Sequence, residues 1–268
     1  MRPAVLGVVA AGAVAAVVAL GFSAAGDQQL TDAGSARPTA SPVSTVTVPS
    51  TPCWLGGPGG LVFLTIDQAK DLTTDAAAVV RHQMSRASFA ATVAVSLGQS
   101  AEVADSVTAT LLGSGSVERL SCRVFRDSVQ PEDEGPSGLT TRAVRVRRAW
   151  RARFGPLPDG GFARGGITTG HVDNSSHYDG RAIDVFFRPV GNAAQTRRGW
   201  VFAQWVAAHA DDYDVLSVIY SDRIWTSWAS TAGWRDYVHP SGNRTNPILR
   251  HLDHVHVAVE SGRRNFGR

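Results

Sequence analysis

The chain has 268 residues, which allows one or two domains at about 150 residues each. Hydrophobic residues make up 43% and charged residues 18%, a globular balance that excludes a wholly disordered or collagen-like chain. The formal net charge of +3 is too small to indicate nucleic-acid binding, and no nucleic-acid partner is expected. Two cysteines exclude both a multi-disulfide mini-protein and a four-cysteine zinc site.

Met1-Arg2-Pro3 leads into an almost unbroken apolar run from Ala4 to Ala25. A basic start, an apolar stretch and the small residues Ser23-Ala24-Ala25 read as an export signal. The run is also about as long as a membrane span, so residues 1–25 are either a cleaved signal peptide or a signal anchor. Both readings place the rest of the chain on the extracytoplasmic, cell-wall side, with the membrane met only through this segment. Residues 26–52 are rich in Ser, Thr, Pro, Ala and Gly and read as a flexible linker.

Residues 53–130 read as a small, mostly helical region. Val62–Ile66 suggests a strand, Asp75–Leu97 one or two helices, and Glu102–Leu112 another. Cys53 and Cys122 bracket the region, and in an exported chain a bridge between them is favoured over two free thiols. The polar, turn-rich Pro131–Gly138 marks a boundary, after which residues 139–268 form a second region.

Leu139–Phe154 reads as a helix whose arginines form a solvated face. Strands are expected at Arg181–Phe187, Val215–Tyr220, Ile224–Trp225 and His254–Val259, with a helix at Gly199–Ala210. The fold class is α+β. Seven of the eight histidines lie at or after His171, so the chemistry is expected in this half.

In the last strand, a side-chain period of two places His254 and His256 on one face and Val255, Val257 and Val259 on the other. Two imidazoles about 7 Å apart can reach one metal or one substrate. Residues 175–184 read Ser-Ser-His-Tyr-Asp-Gly-Arg-Ala-Ile-Asp. Gly180 permits a tight turn with positive φ. Asp184 sits in an apolar run, where a carboxylate is costly to bury unless it is paired or bound to metal.

Ser175-x-His177-x-x-Gly180-x-Ala182-x-Asp184 resembles the zinc-binding signature of the D-alanyl-D-alanine metallopeptidases, shared by the hedgehog signalling domain and the penicillin-insensitive murein endopeptidase. The chain is also similar to exported actinobacterial proteins that end in such a domain. Segments Gly170-His171, Ser176–Arg188, Ile224-Trp225-Thr226, Gly233–Tyr237 and His251–Val257 carry that similarity.

The resemblance implies a small antiparallel sheet with helices, and a zinc ion held by His177, Asp184 and His256. It also implies an acid/base or oxyanion-stabilising role for His254. Asp253 is the second choice of base, standing where the dipeptidases carry Glu. Arg164 is the choice for a transition-state arginine. His171 and His251 are candidates for orienting the ligands, and Trp225, Trp228, Trp234 and Tyr237 for lining a groove. Relatives carry a Glu-Ser pair in a lysozyme-like upstream segment, and Gln99-Ser100 is the comparable spot.

The expected function is a zinc-dependent peptidase or amidase, monomeric, acting on peptidoglycan stem peptides or cross-links. The alternative is a non-catalytic module of the same fold that binds zinc or peptidoglycan.

Overall fold

Local signals in the front region set where each element starts and stops. The computed structural model describes residues 52–115, 118–125 and 129–262, so the apolar N-terminal run and residues 26–51 of the linker lie outside the described residues. Strand β1 (Cys53–Gly57) and strand β2 (Gly60–Leu64) form a hairpin through Pro58-Gly59, with Gly59 at φ +78°. The expected strand at 62–66 is thus displaced. Thr65 leaves the strand to cap helix α1 (Ile66–Val80), forming a reciprocal capping box with Gln68.

Helix α2 (Arg86–Leu97) starts at a Ser85 cap and stops at Gly98, whose φ is +59°. The helical run expected from Asp75 is therefore two helices, the first beginning earlier, broken where His82 takes φ +58°. Helix α3 (Ala101–Leu111) is capped by Ser100. That hydroxyl accepts from the Val103 N–H at the start of the helix, so Ser100 has a structural use.

Strand β3 (Ser121–Cys122) pairs with β1, setting Cys122 opposite Cys53, and the two are disulfide-bonded.

Helix α4 (Thr141–Phe154) buries Ala143, Val146, Trp150 and Phe154, a three- and four-residue spacing. Its arginines are not simply a solvated face. Arg142 is buried between Asp214 and the Gln130 carbonyl, Arg145 pairs with Asp214, and Arg147 and Arg151 converge on Asp159.

A six-stranded antiparallel sheet follows. Its members are β4 (Asp159–Gly160), β5 (Ala182–Phe186), β6 (Val215–Tyr220), β7 (Arg223–Thr226), β8 (Arg235–Asp236) and β9 (His254–Val259), in the order β4-β5-β9-β6-β7-β8. Helix α5 (Ala193–Ala208) crosses it. The Asn192 side chain accepts hydrogen bonds from Ala194 N–H and Gln195 N–H, which starts α5 six residues earlier than its apolar stripe suggests.

One hydrophobic cluster runs from Leu55, Leu72 and Phe89 through Trp150 and Phe202 to Val255 and Val257. Buried Gln204 on α5 accepts from Leu120 N–H and donates to the Thr110 carbonyl. The Trp225 and Trp234 indoles donate to the Ser121 hydroxyl and the Leu120 carbonyl. The described residues from Pro52 onward belong to one compact unit. Its architecture is mixed helix and antiparallel sheet. Among the described residues, no helix is long and apolar enough to cross a membrane.

Candidate metal centre

The site is built on the two central strands β5 and β9. Their register sets Asp184 opposite His256 and Phe186 opposite His254. Alternation puts these four side chains on one face, while Ile183, Val185, Val255 and Val257 enter the core on the other. The histidine parity expected from the sequence is therefore the observed one.

His177 arrives from the turn before β5. Gly180 closes that turn at φ +61°, and a Cβ there would lie 2.8 Å from the Gly138 carbonyl oxygen. The His177 Nδ1–H donates to the Gly161 carbonyl at 2.7 Å, which leaves Nε2 as the free lone pair. Gly161 is equally constrained. It has φ +80°, and an added Cβ would stand 2.4 Å from His177 Cε1 and 3.1 Å from Asp184 Oδ2.

Three donor atoms meet at this point. His177 Nε2 lies 3.0 Å from His256 Nδ1 and 3.2 Å from Asp184 Oδ1, and His256 Nδ1 lies 3.1 Å from the same carboxylate oxygen. A tetrahedral ion with ligands at about 2.0–2.1 Å separates its ligand atoms by about 3.3–3.4 Å. The triad needs only a few tenths of an ångström to fit.

Burial raises the Asp184 carboxyl, but its close contacts with the His177 and His256 rings outweigh it and hold the group well below the usual carboxylate range. Burial pushes His256 down, opposed by Asp184. An ionised carboxylate and neutral imidazoles are the protonation states that a divalent cation requires.

His171 joins the cluster from the loop before the motif. His171, His177 and Asp184 each offer a ligand atom, all within 4.8 Å of one another, so this group can hold a metal ion. The His171 ring stacks on His177, with centroids 3.9 Å apart and planes at 18°.

A second set of groups flanks the triad. His254 Nδ1 is 2.7 Å from Asp253 Oδ1, while Asp253 Oδ2 accepts from Arg188 Nε and Nη2 at 2.8 and 2.7 Å. His254 Nε2 faces the triad, 3.8 Å from Asp184 Oδ1. Asp253 is thus held beside His254 by Arg188 and not against the three donor atoms. Burial raises its carboxyl, but His254 and Arg188 hold it below the ordinary value.

His251 is buried beside His254, with ring centroids 4.6 Å apart, and its Nδ1 has no hydrogen-bond partner among the described residues. Burial and the neighbouring His256 and His254 push it down to about 2.

These histidines share a cavity of about 470 Å³ with Tyr237, Ile219 and Leu249. Of the aromatic candidates, Tyr237 lines it, Trp225 and Trp234 are core residues, and Trp228 is 76% exposed. Arg164 is exposed and lies outside the cavity lining, so the structure does not bring it to the other candidates. Arg188 was missed. Register alone carries the signal for it: with Asp184 opposite His256, extending the ladder brings Phe187 to Asp253, where the Phe187 N–H donates to the Asp253 carbonyl.

Residues 135–248 match the family described as VldE, C-terminal domain. The match spans less than half the chain, takes in His171, His177 and Asp184, and ends before the His254/His256 strand. No curated protein and no solved structure matches the chain.

Proposed function

We propose that this chain is an exported zinc-dependent peptidase or amidase acting on the peptide portion of cell-wall peptidoglycan, with the hedgehog/D-alanyl-D-alanine-peptidase type of fold. One observation carries the reading: the His177, Asp184 and His256 donor atoms lie 3.0–3.2 Å apart in a cavity that also holds an Asp-oriented histidine. The signature around His177 and Asp184, and the export-type N-terminus, supply the substrate class and the compartment.

Zinc bound by these three residues would polarise a substrate carbonyl and lower the pKa of water to about 7. Two imidazoles and one carboxylate leave a net positive site. That charge favours an incoming oxygen anion and the developing oxyanion.

Asp253 fixes the proton of His254 on Nδ1, so Nε2 is the proton acceptor facing the cavity. His254 Nε2 takes the proton of the attacking water and returns it to the leaving amine nitrogen. The amide C–N bond breaks, and a carboxylate and an amine leave. Arg188 keeps Asp253 ionised and in place.

Metal analysis of the purified chain, paired with digestion of isolated sacculi, tests the reading. One zinc per chain and released muropeptides are expected, with both lost in His177→Ala. A wild-type chain that takes up no zinc overturns it.

A further inference from the structure

We infer that His171 is a reversible fourth ligand that closes the metal centre when no substrate is present. The inference rests on the zinc reading proposed above and addresses a feature that reading leaves unused.

A catalytic zinc site keeps one position open, whereas a structural site is closed by four protein ligands. The triad of His177, Asp184 and His256 leaves that position open. His171 lines the same cavity, with a ligand atom no more than 4.8 Å from those of His177 and Asp184. Ligand atoms in one tetrahedral shell sit about 3.4 Å apart, so His171 lies within about 1.5 Å of ligating distance. A side-chain rotation covers that gap. By contrast, the triad atoms are already at shell spacing and are fixed by strand pairing and the Gly161 carbonyl.

The loop is built for a small motion about a fixed point. The Tyr178 hydroxyl accepts from the His171 N–H at 2.8 Å and donates to the His171 carbonyl at 2.6 Å. The backbone is thus pinned to the signature turn, so the motion required is one of the side chain alone. Gly170 precedes it at φ +94°, with no atom of the described residues within 4 Å of where a Cβ would stand. Stacking on His177 gives the imidazole a parked position when it does not ligate. A substrate carbonyl or water entering the shell has to displace His171, which makes the resting centre tighter for metal and slower to react than a three-ligand site.

The test uses the full chain loaded with cobalt(II) in place of zinc. Affinity is read by chelator competition and coordination by visible absorption. One cobalt per wild-type chain is expected. In His171→Ala the affinity falls about 10-fold or more, and the visible bands change in intensity and position as water replaces an imidazole. Tyr178→Phe, which unpins the loop without removing the ligand, moves both readouts the same way by a smaller amount. His171→Ala with unchanged affinity and spectrum overturns this inference alone. Wild-type protein that binds no cobalt overturns the zinc reading and this inference with it.

Discussion

The front and back of the compact unit are held together by different means. The front, from β1 through α3 and β3, buries Leu55, Leu64, Leu72, Phe89, Val107 and Leu111, with a disulfide across its first and last strands. Its buried polar side chains are hydroxyls such as Thr73, Thr108 and Thr110. In the back, one face of the β5–β9 ladder packs the same kind of apolar core. The other face carries Asp184, His254 and His256, joined from flanking segments by His177, His251 and Asp253, and all of these but His256 are at most 9% exposed.

Buried ionisable groups oppose folding unless they are paired or bound to an ion. Gathering them on one strand face therefore marks that face as a site. The front offers no comparable cluster among its described residues, so its contribution is mechanical. It buttresses α5 and, through Gln204, Trp225 and Trp234, the far strands of the sheet.

The largest expected effect breaks the front. Replacing Cys53 and Cys122 together by Ser releases a segment with a sequence separation of 69 and lowers the unfolding free energy by about 4 kcal/mol. Urea titration of the oxidised protein and the variant measures it. A loss below about 1 kcal/mol would show that apolar packing alone holds the front.

Next comes the chemistry of the back. Asp253→Asn frees the His254 tautomer while leaving the three donor atoms in place. Amide cleavage should slow by about 100-fold at unchanged zinc content. Equal losses of rate and zinc would instead place Asp253 in the metal centre.

The smallest effect is a pH dependence of the metal-free fold. His251 is held at about 2 and His256 below its ordinary value, so the unfolded chain binds their protons first as pH falls below about 6.5. Stability should therefore be level above that value and drop below it, by about 1.4 kcal/mol per pH unit for each net proton taken up on unfolding. Asp184, also lowered, adds a further loss as pH falls through the ordinary carboxylate range. Thermal unfolding in chelator at pH 7.5 and 5.5 checks the direction, and His251→Phe should flatten the slope. Equal melting temperatures for wild type at the two pH values would contradict the assignment.

Local pattern made much of this molecule legible in its sequence. The strict alternation of His254–Val259 set which residues share a face, and Val215–Tyr220 is a strand over the expected residues. Cys53 and Cys122 are bonded. Errors came where a polar side chain overrode the apolar pattern. Thr65 and Asn192 start helices earlier than hydrophobic periodicity does, because a cap is set by one side chain and not by a stripe.

β1 was invisible because CWLGG carries too few strand-forming residues; its pairing comes from the hairpin and from Cys122. In the site, the signature named His177 and Asp184, and the His-x-His named His254 and His256. Arg164 is close to the signature in sequence only, and the arginine that meets Asp253 is Arg188, across the ladder. Such cross-strand partners become readable only once the register is known.

The central claim is the convergence of three residues, distant along the chain, on one divalent cation. Anomalous diffraction at the zinc edge, from crystals of the chain grown with zinc, tests it most directly. The account predicts one peak about 2.0–2.2 Å from His177 Nε2, His256 Nδ1 and an Asp184 carboxylate oxygen. A zinc-supplied crystal with no peak there, or with zinc held by residues that exclude this triad, would contradict it.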